Sequence, residues 1–269
     1  MNPDRRVEIF AHTGDPAWLR ANGLFVAEGR QVARRLLASP RYRTVAMLLT
    51  PSAEAAMADA IDAVPTERRP VIEIRTPAEV DAMTGFPLHQ GCVAFAERLE
   101  LPSWETVAGG EGLFVALERV RDPDNVGSIA RTASALGASG LLIGPECADP
   151  LYRKAVRTSM GALVSMPVLA ADPWPGAVTM LAAAGFVLVA TTPDPEAPAI
   201  EAVRDDLVKT GRAGKVVLLV GSEGEGLTAA ARAAAHVEAR IPMAAGVMDS
   251  LNVAVATAVA IYALRERRT

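Results

Sequence analysis

The chain has 269 residues, 51% of them hydrophobic and 22% charged, enough for one large core or two small ones in an ordinary globular protein. Its formal net charge of −4 lends no support to nucleic-acid binding, so any such function must rest on local arginines, which supply 24 of the 27 basic residues. Cys92 and Cys147 are too few and too isolated for a disulfide framework or a zinc site, and read as two buried thiols in a reducing compartment. No metal is expected. No apolar stretch follows the polar start Met1-Asn2-Pro3-Asp4, and no segment reaches the roughly 18 uninterrupted apolar residues of a membrane span, so a soluble cytoplasmic protein is expected.

In chain order, residues 1–100 alternate short strands and helices. Apolar, β-rich runs at 23–27, 45–49, 71–74 and 92–96 read as strands, with helices over 31–38 and near 53–60 and 77–83. This is a small α/β layer with its own core. Residues 101–112 carry Pro102, Gly109, Gly110 and Gly112 and read as a linker.

The second part, 113–269, opens with a strand at 113–117. A helix follows with Asn125 at its cap; Val126, Ile129, Ala130, Ala133 and Leu136 fall at helical spacing, and Gly137 just past its end. Then come a strand at 140–144, a helix near 149–158, a strand near 164–169, a helix from Pro173 to Ala184 and a strand at 186–191. Val216 to Val220 form a continuous apolar run, as expected of a strand buried on both faces. Next is a short alanine-rich helix capped by Thr228, then an apolar segment ending at Ile241-Pro242-Met243. The last helix, from Val253, is apolar on every side, which predicts a buried helix or a subunit interface. Strands separated by helices point to parallel βαβ units.

Three polar clusters stand at predicted strand ends, where open parallel sheets place ligands. In the first, Asn125 to Arg131, the arginine lies opposite the apolar stripe. Alone it reads more readily as a solvated helix residue than as a cation offered to a phosphate or ribose. The second, Gly221-Ser222-Glu223-Gly224-Glu225-Gly226, is a glycine turn after a buried strand, suited to a nucleotide-like ligand held by main-chain groups. Its spacing, G-x-x-G-x-G, departs from the dinucleotide fingerprint and disfavours a nicotinamide cofactor. The third is Ser250-Leu251-Asn252 at the mouth of the final helix. Ser250 reads as its cap, while the Asn252 amide needs a partner. His12, His89 and His236 have no metal-ligand spacing and read as structural.

Together the clusters resemble the three motifs of the SpoU/TrmH family of RNA ribose 2′-O-methyltransferases, in the SPOUT superfamily. The matching text is Asn125-x-Gly127-x-x-x-Arg131-x-Ala133-x-x-x-Gly137, then Gly221 to Leu227, then Ile241-Pro242-Met243 with Ser250-Leu251-Asn252-Val253. The first part is similar to that family's small ribosomal-protein-like RNA-binding domain, through Gly23-Leu24-Phe25-Val26-Ala27-Glu28-Gly29 and His89-Gln90-Gly91-Cys92-Val93-Ala94. The run from Ala244 to Asp249 is slightly longer than the family's usual spacing.

The resemblance implies a second domain, 113–269, of SPOUT fold, with a parallel sheet and a deep trefoil knot. It implies S-adenosylmethionine bent within that knot and a homodimer with its site at the interface. Gly221, Ile241 and Leu251 would contact the cofactor largely through main-chain groups, with Thr191 as a further candidate. Arg131 would be the catalytic arginine, supported by Asn125, Glu223, Ser250 and Asn252. Since a free arginine stays protonated at neutral pH, a role in positioning the hydroxyl and stabilising a developing alkoxide is the better expectation than that of a base. Ribosomal RNA is favoured over transfer RNA as substrate because of the first domain. The competing class is a non-catalytic RNA-binding or assembly factor of the same fold.

Overall fold

The computed structural model describes residues 8–244 and 250–265. Most of the run from Ala244 to Asp249 therefore lies outside the described residues. The chain forms two compact units: Met1–Glu100 with Asp149–Ser165, and Leu101–Ala148 with Met166–Thr269.

The first unit contains helix α1 (Pro16–Ala21), strand β1 (Leu24–Glu28), α2 (Arg30–Leu37), β2 (Thr44–Leu49), α3 (Pro51–Asp62), β3 (Val71–Ile74), α4 (Pro77–Thr84) and β4 (Cys92–Glu97). Its sheet runs β1-β4-β2-β3, with β4 antiparallel to both neighbours and β2 parallel to β3. Local sequence starts the helices: Thr50 and Thr76 cap α3 and α4, each followed by proline in the first turn, and Glu79 completes a capping box with Thr76. One face of the sheet packs Phe25, Leu36, Tyr42, Met47 and Met57; the other packs Phe10, Val26, Leu48, Val80 and Phe95.

Two short helices from far along the chain complete this unit, α5 (Arg153–Thr158) and α6 (Ala162–Ser165). Leu151, Val156 and Val164 enter the core beside Phe25. Glu28, only 2% exposed, accepts hydrogen bonds from the guanidinium groups of Arg153 (2.9 Å) and Arg157 (3.4 Å) and from the His89 main-chain N–H (2.9 Å). Asp149 likewise takes Arg98 and Arg20. The sequence reading kept 149–165 inside an unbroken second part; its contacts group it with the first unit. The expected strand near 164–169 also differs, since Val164 is helical and the strand is β7 (Val168–Ala170). Gly161, at φ +81, starts the short helix, and Pro167, lacking an N–H, precedes the strand.

The second unit carries β5 (Gly112–Leu117), α7 (Pro123–Ala135), β6 (Gly140–Ile143), β7, α8 (Gly176–Ala183), β8 (Val187–Thr191), α9 (Ile200–Lys209), β9 (Lys215–Val220), α10 (Ala229–Ala234), β10 (Val237–Ala239) and α11 (Val253–Leu264). All six strands are parallel, in the order β10-β8-β9-β5-β6-β7. Continuous apolar runs in β5 and β9 match their central places, because both of their faces are covered. Phe114, Phe186, Leu188 and Val217 pack with Trp104 and with α8 and α10 on one face, while α11 packs on α7, α9 and β9. Trp104 sits in a short 3₁₀ turn within the stretch read as a linker.

The two cysteines are free, Cys92 buried and Cys147 only partly so. Burial pushes the Cys92 thiol up to about 12 and the Cys147 thiol up to about 11, so neither is poised as a nucleophile. Among the described residues no helix is long and apolar enough to cross a membrane, and no group of three or more His, Cys, Asp or Glu could hold a metal.

Candidate active site at the carboxyl ends of the parallel strands

Chain order runs β5, β6, β7 toward one edge, then returns to lay β8, β9 and β10 on the other side of β5. Open parallel sheets bind ligands outside the carboxyl ends of their strands where the order reverses. A cavity of about 800 Å³ lies at the carboxyl ends of β8, β9 and β10, on the β9 side of that reversal, within the ~300–1,000 Å³ of small-molecule sites. Its walls are the segment after β8, from Thr191 to Pro195, the glycine loop after β9, from Gly221 to Leu227, and Ile241, Met243, Ser250 and Leu251 beyond β10. All four residues that the resemblance assigns to a cofactor, Thr191, Gly221, Ile241 and Leu251, line this one cavity.

Gly221 explains why the loop can close so tightly. A Cβ at that position would lie 2.2 Å from the carbonyl carbon of Gly226 and 2.3 Å from the nitrogen of Leu227. Main chain passes over main chain here, which only glycine permits. Thr191 donates its hydroxyl to the Leu219 carbonyl at 3.2 Å, tying the β8 exit to β9.

At the rim the Glu223 carboxylate gathers three donors on Oε1. Asn252 Nδ2 lies at 2.5 Å, Asn125 Nδ2 at 3.2 Å and the Val253 N–H at 3.3 Å. Asn252 also donates to Asn125 Oδ1 at 3.1 Å. Residues from three distant segments thus share one hydrogen-bonded cluster. Two caps differ from the sequence reading. The N-cap of α7 is Asp122, whose Oδ1 accepts from the Asp124 N–H at 2.9 Å, with Pro123 in the first turn. Asn125 is therefore inside the helix, its amide free to reach Glu223. The cap of α11 is Asn252 rather than Ser250: its Oδ1 accepts from Ala254 and Val255, and its Nδ2 serves the cluster.

Ser250 lines the cavity and is exposed. Arg131 is not part of the cluster. It is exposed on α7 and has no hydrogen-bond or ion-pair partner among the described residues. Six residues beyond Asn125, it stands about 9 Å further along the helix axis and faces another direction.

Glu118 and Arg119 after β5, which contact the glycine loop and its following helix cap, were not among the sequence candidates, whereas Ser222 of the glycine cluster has a hydroxyl that is buried without a partner. A charged pair directly after a five-residue apolar run was the available signal. His236 Nδ1 accepts from the Leu188 N–H and His12 stacks on Trp18, while His89 is exposed and meets Glu28 through its main-chain N–H.

The geometry defines an α/β protein with a ligand cavity at the carboxyl ends of a parallel sheet, its polar cluster held beside a glycine loop. The chain belongs to the SpoU rRNA methylase family, which matches residues 112–262. An uncharacterized tRNA/rRNA methyltransferase of Mycobacterium bovis is 41% identical over 244 residues, 89% of this chain and 80% of that one. A 23S rRNA (guanosine-2′-O-)-methyltransferase of Xylella fastidiosa is 30% identical over 210 residues, 75% of this chain and 81% of that one. The crystal structure of an AdoMet-bound rRNA methyltransferase from Sinorhizobium meliloti superposes with a TM-score of 0.78 at 27% identity, covering 98% of this chain and 94% of that one.

Proposed function

We propose that this protein is an S-adenosylmethionine-dependent methyltransferase acting on a ribose 2′-hydroxyl of RNA, ribosomal RNA in particular. One observation carries the reading: the Asn125–Glu223–Asn252 cluster stands at the rim of a cavity walled by Thr191, Gly221, Ile241 and Leu251. Family membership and the guanosine-2′-O specificity in the name of the Xylella relative support it.

The cavity suits this cofactor. Leu227, Ile241, Met243 and Leu251 offer apolar walls, and the glycine loop offers main-chain polar groups. Asp194 and Glu223 place carboxylates on the wall, while Glu225 and the lining Arg232 are each ion-paired, with Arg119 and Glu238, so the remaining charge favours a cationic ligand, as a sulfonium is. When bound, S-adenosylmethionine supplies an electrophilic methyl group.

The chain's own residues then have two tasks. Glu223 fixes the amides of Asn125 and Asn252, so that the cluster presents an ordered polar edge for orienting a hydroxyl. Arg131 contributes a fixed cation that binds RNA phosphate and stabilises developing charge on the attacking oxygen.

Because Arg131 faces away from the cluster of its own subunit, this reading includes a homodimer in which Arg131 serves the partner's site. Helix α11 supports it, exposing Val255, Val259 and Tyr262 along one side, the last 62% exposed. We infer also that the segment after β10 forms the trefoil knot, and that the first unit is the RNA-binding domain. The meeting of Glu223 with Asn252, and the arginines of the first unit, support these parts.

Calorimetry with S-adenosylmethionine, followed by mass mapping of ribose methylation in RNA from cells with and without the gene, tests the function. One lost 2′-O-methyl in ribosomal RNA is the expected result. A lost transfer-RNA methyl corrects the substrate, and no binding with no lost methyl points to an assembly factor. Replacing Val255 and Tyr262 together by aspartate is expected to give monomers by light scattering and to abolish turnover, because an interface cannot bury unpaired carboxylates. A fully active dimer from that variant removes α11 from the interface.

A further inference from the structure

The loop that floors the cavity is pinned from the neighbouring strand. Glu118, directly after β5, is 1% exposed, a burial that a carboxylate tolerates only when its oxygens are occupied. They are. Oε1 accepts from Trp174 Nε1 at 2.6 Å and from the Thr228 hydroxyl at 2.8 Å, and Oε2 from the Thr228 N–H at 2.8 Å. Thr228 caps α10, so Glu118 holds the point where the glycine loop becomes helix. Its own N–H donates to Val220, the last residue before the loop, at 2.9 Å. One residue therefore grips both ends of the segment from Gly221 to Leu227.

Arg119 grips the middle. Its guanidinium donates to the Gly226 carbonyl at 3.1 Å and pairs with Glu225 at 2.9 Å. Its backbone sits at φ 58, a left-handed conformation that a residue with a β-carbon adopts at a cost. Its Nε is buried without a partner. Such strain persists where the surroundings enforce it, often at ligand sites. Neither residue lines the cavity or belongs to the Asn125–Glu223–Asn252 cluster.

We infer that Glu118 and Arg119 are positioning residues that set the Gly221–Leu227 loop in its cofactor-binding shape before the cofactor arrives. The inference rests on the proposed cofactor site. A preshaped loop spares the ligand the cost of ordering it, so loosening the grip weakens binding without touching any contact group.

The test uses the full chain and two readouts. In Glu118→Gln an amide N–H₂ must face either the Thr228 N–H or the Trp174 indole, donor against donor. Affinity for S-adenosylmethionine by calorimetry is expected to fall about tenfold or more, the scale of losing hydrogen bonds to a charged group. The KM for RNA should stay unchanged. Amide hydrogen exchange of the ligand-free protein is expected to accelerate in 221–228 and not in β6 or α8. Trp174→Phe, which removes one donor, should show a smaller shift in the same direction. Should Glu118→Gln fail to fold, Arg119→Lys carries the test, with faster exchange confined to the loop expected.

A folded Glu118→Gln, or Arg119→Lys in its place, with wild-type loop exchange overturns the inference, as does exchange that rises equally throughout the unit. If wild-type protein binds no cofactor, the functional reading fails, and the exchange data still decide whether these residues fix the loop.

Discussion

Gly221→Ala is expected to destroy the proposed cofactor site. The new Cβ would sit 2.2 Å from the Gly226 carbonyl carbon, 2.3 Å from the Leu227 nitrogen and 2.5 Å from the Gly226 oxygen. All three are main-chain atoms, so no side chain can rotate away and the loop itself must move. Overpacking of this kind costs about 3 kcal/mol when rigid groups must shift. The same displacement carries Glu223 off its amides and changes the floor of the cavity. A fall in thermal stability, with S-adenosylmethionine affinity reduced about a hundredfold, is the expected outcome. Gly226→Ala supplies the contrast. Gly226 needs its left-handed φ of +65, yet nothing lies within 4 Å of an added Cβ. The cost there is the conformational one alone, roughly 1 kcal/mol. If the two variants lose stability and affinity equally, close approach of the main chain is not what makes Gly221 necessary.

The same contrast shows which parts of the site the sequence could disclose. The run from Val216 to Val220 is continuous and apolar, and it is the central strand β9. Thr228 stands where a cap was expected, accepting from the Ala231 N–H. Physics local to a few residues decides such features. Asn125 and Ser250 were read as caps because asparagine and serine favour helix starts; the neighbours Asp122 and Asn252 won those places. Pro123 favours Asp122, since proline suits the first helical position. Nothing within either cluster tells that Asn125 and Asn252 will meet at Glu223, which lies 98 residues from one and 29 from the other. The motif resemblance implies a convergence of Asn125, Glu223 and Asn252 with Arg131 and Ser250, of which the first three share hydrogen bonds and Arg131 stands apart.

Other elements were hidden for equally physical reasons. Helix α9 went unread between Thr191 and Lys215. Ile200, Val203 and Leu207 do form its buried face, but Ala199 caps it with no side-chain hydrogen bond, and charged residues fill the spaces between. The sequence Ala162-Leu163-Val164 suits helix and strand alike, and its burial against the first unit's core settles it as helix. The fate of 149–165 depends on Glu28 and Asp149, carboxylates whose arginine partners lie up to 129 residues away. No local pattern reports such pairings.

Arg131→Ala is expected to cost the most turnover for the least structural change. The residue is exposed and unpaired among the described residues, and it does not line the cavity, so neither stability nor cofactor affinity should move. Removing a single group that stabilises charge developing on oxygen typically lowers kcat by about 10² to 10³. Arg131→Lys separates charge from shape, because lysine offers a point charge where arginine offers a planar fork. Full turnover from the lysine variant, with RNA binding unchanged, would show that no guanidinium geometry is needed. The dimer reading makes a stronger demand. Arg131→Ala and Asn252→Ala should each be nearly inactive as homodimers, but on this reading a mixed dimer pairs the intact cluster of the first with the intact arginine of the second. The mixed dimer, isolated from both homodimers, has one working site of two, so about half of wild-type activity should return. If both groups acted within one subunit, every mixed site would lack one of them. Co-expression under two affinity tags, tandem purification and an assay of methyl transfer measure the difference, and activity that stays at zero in the mixed dimer returns Arg131 to its own subunit.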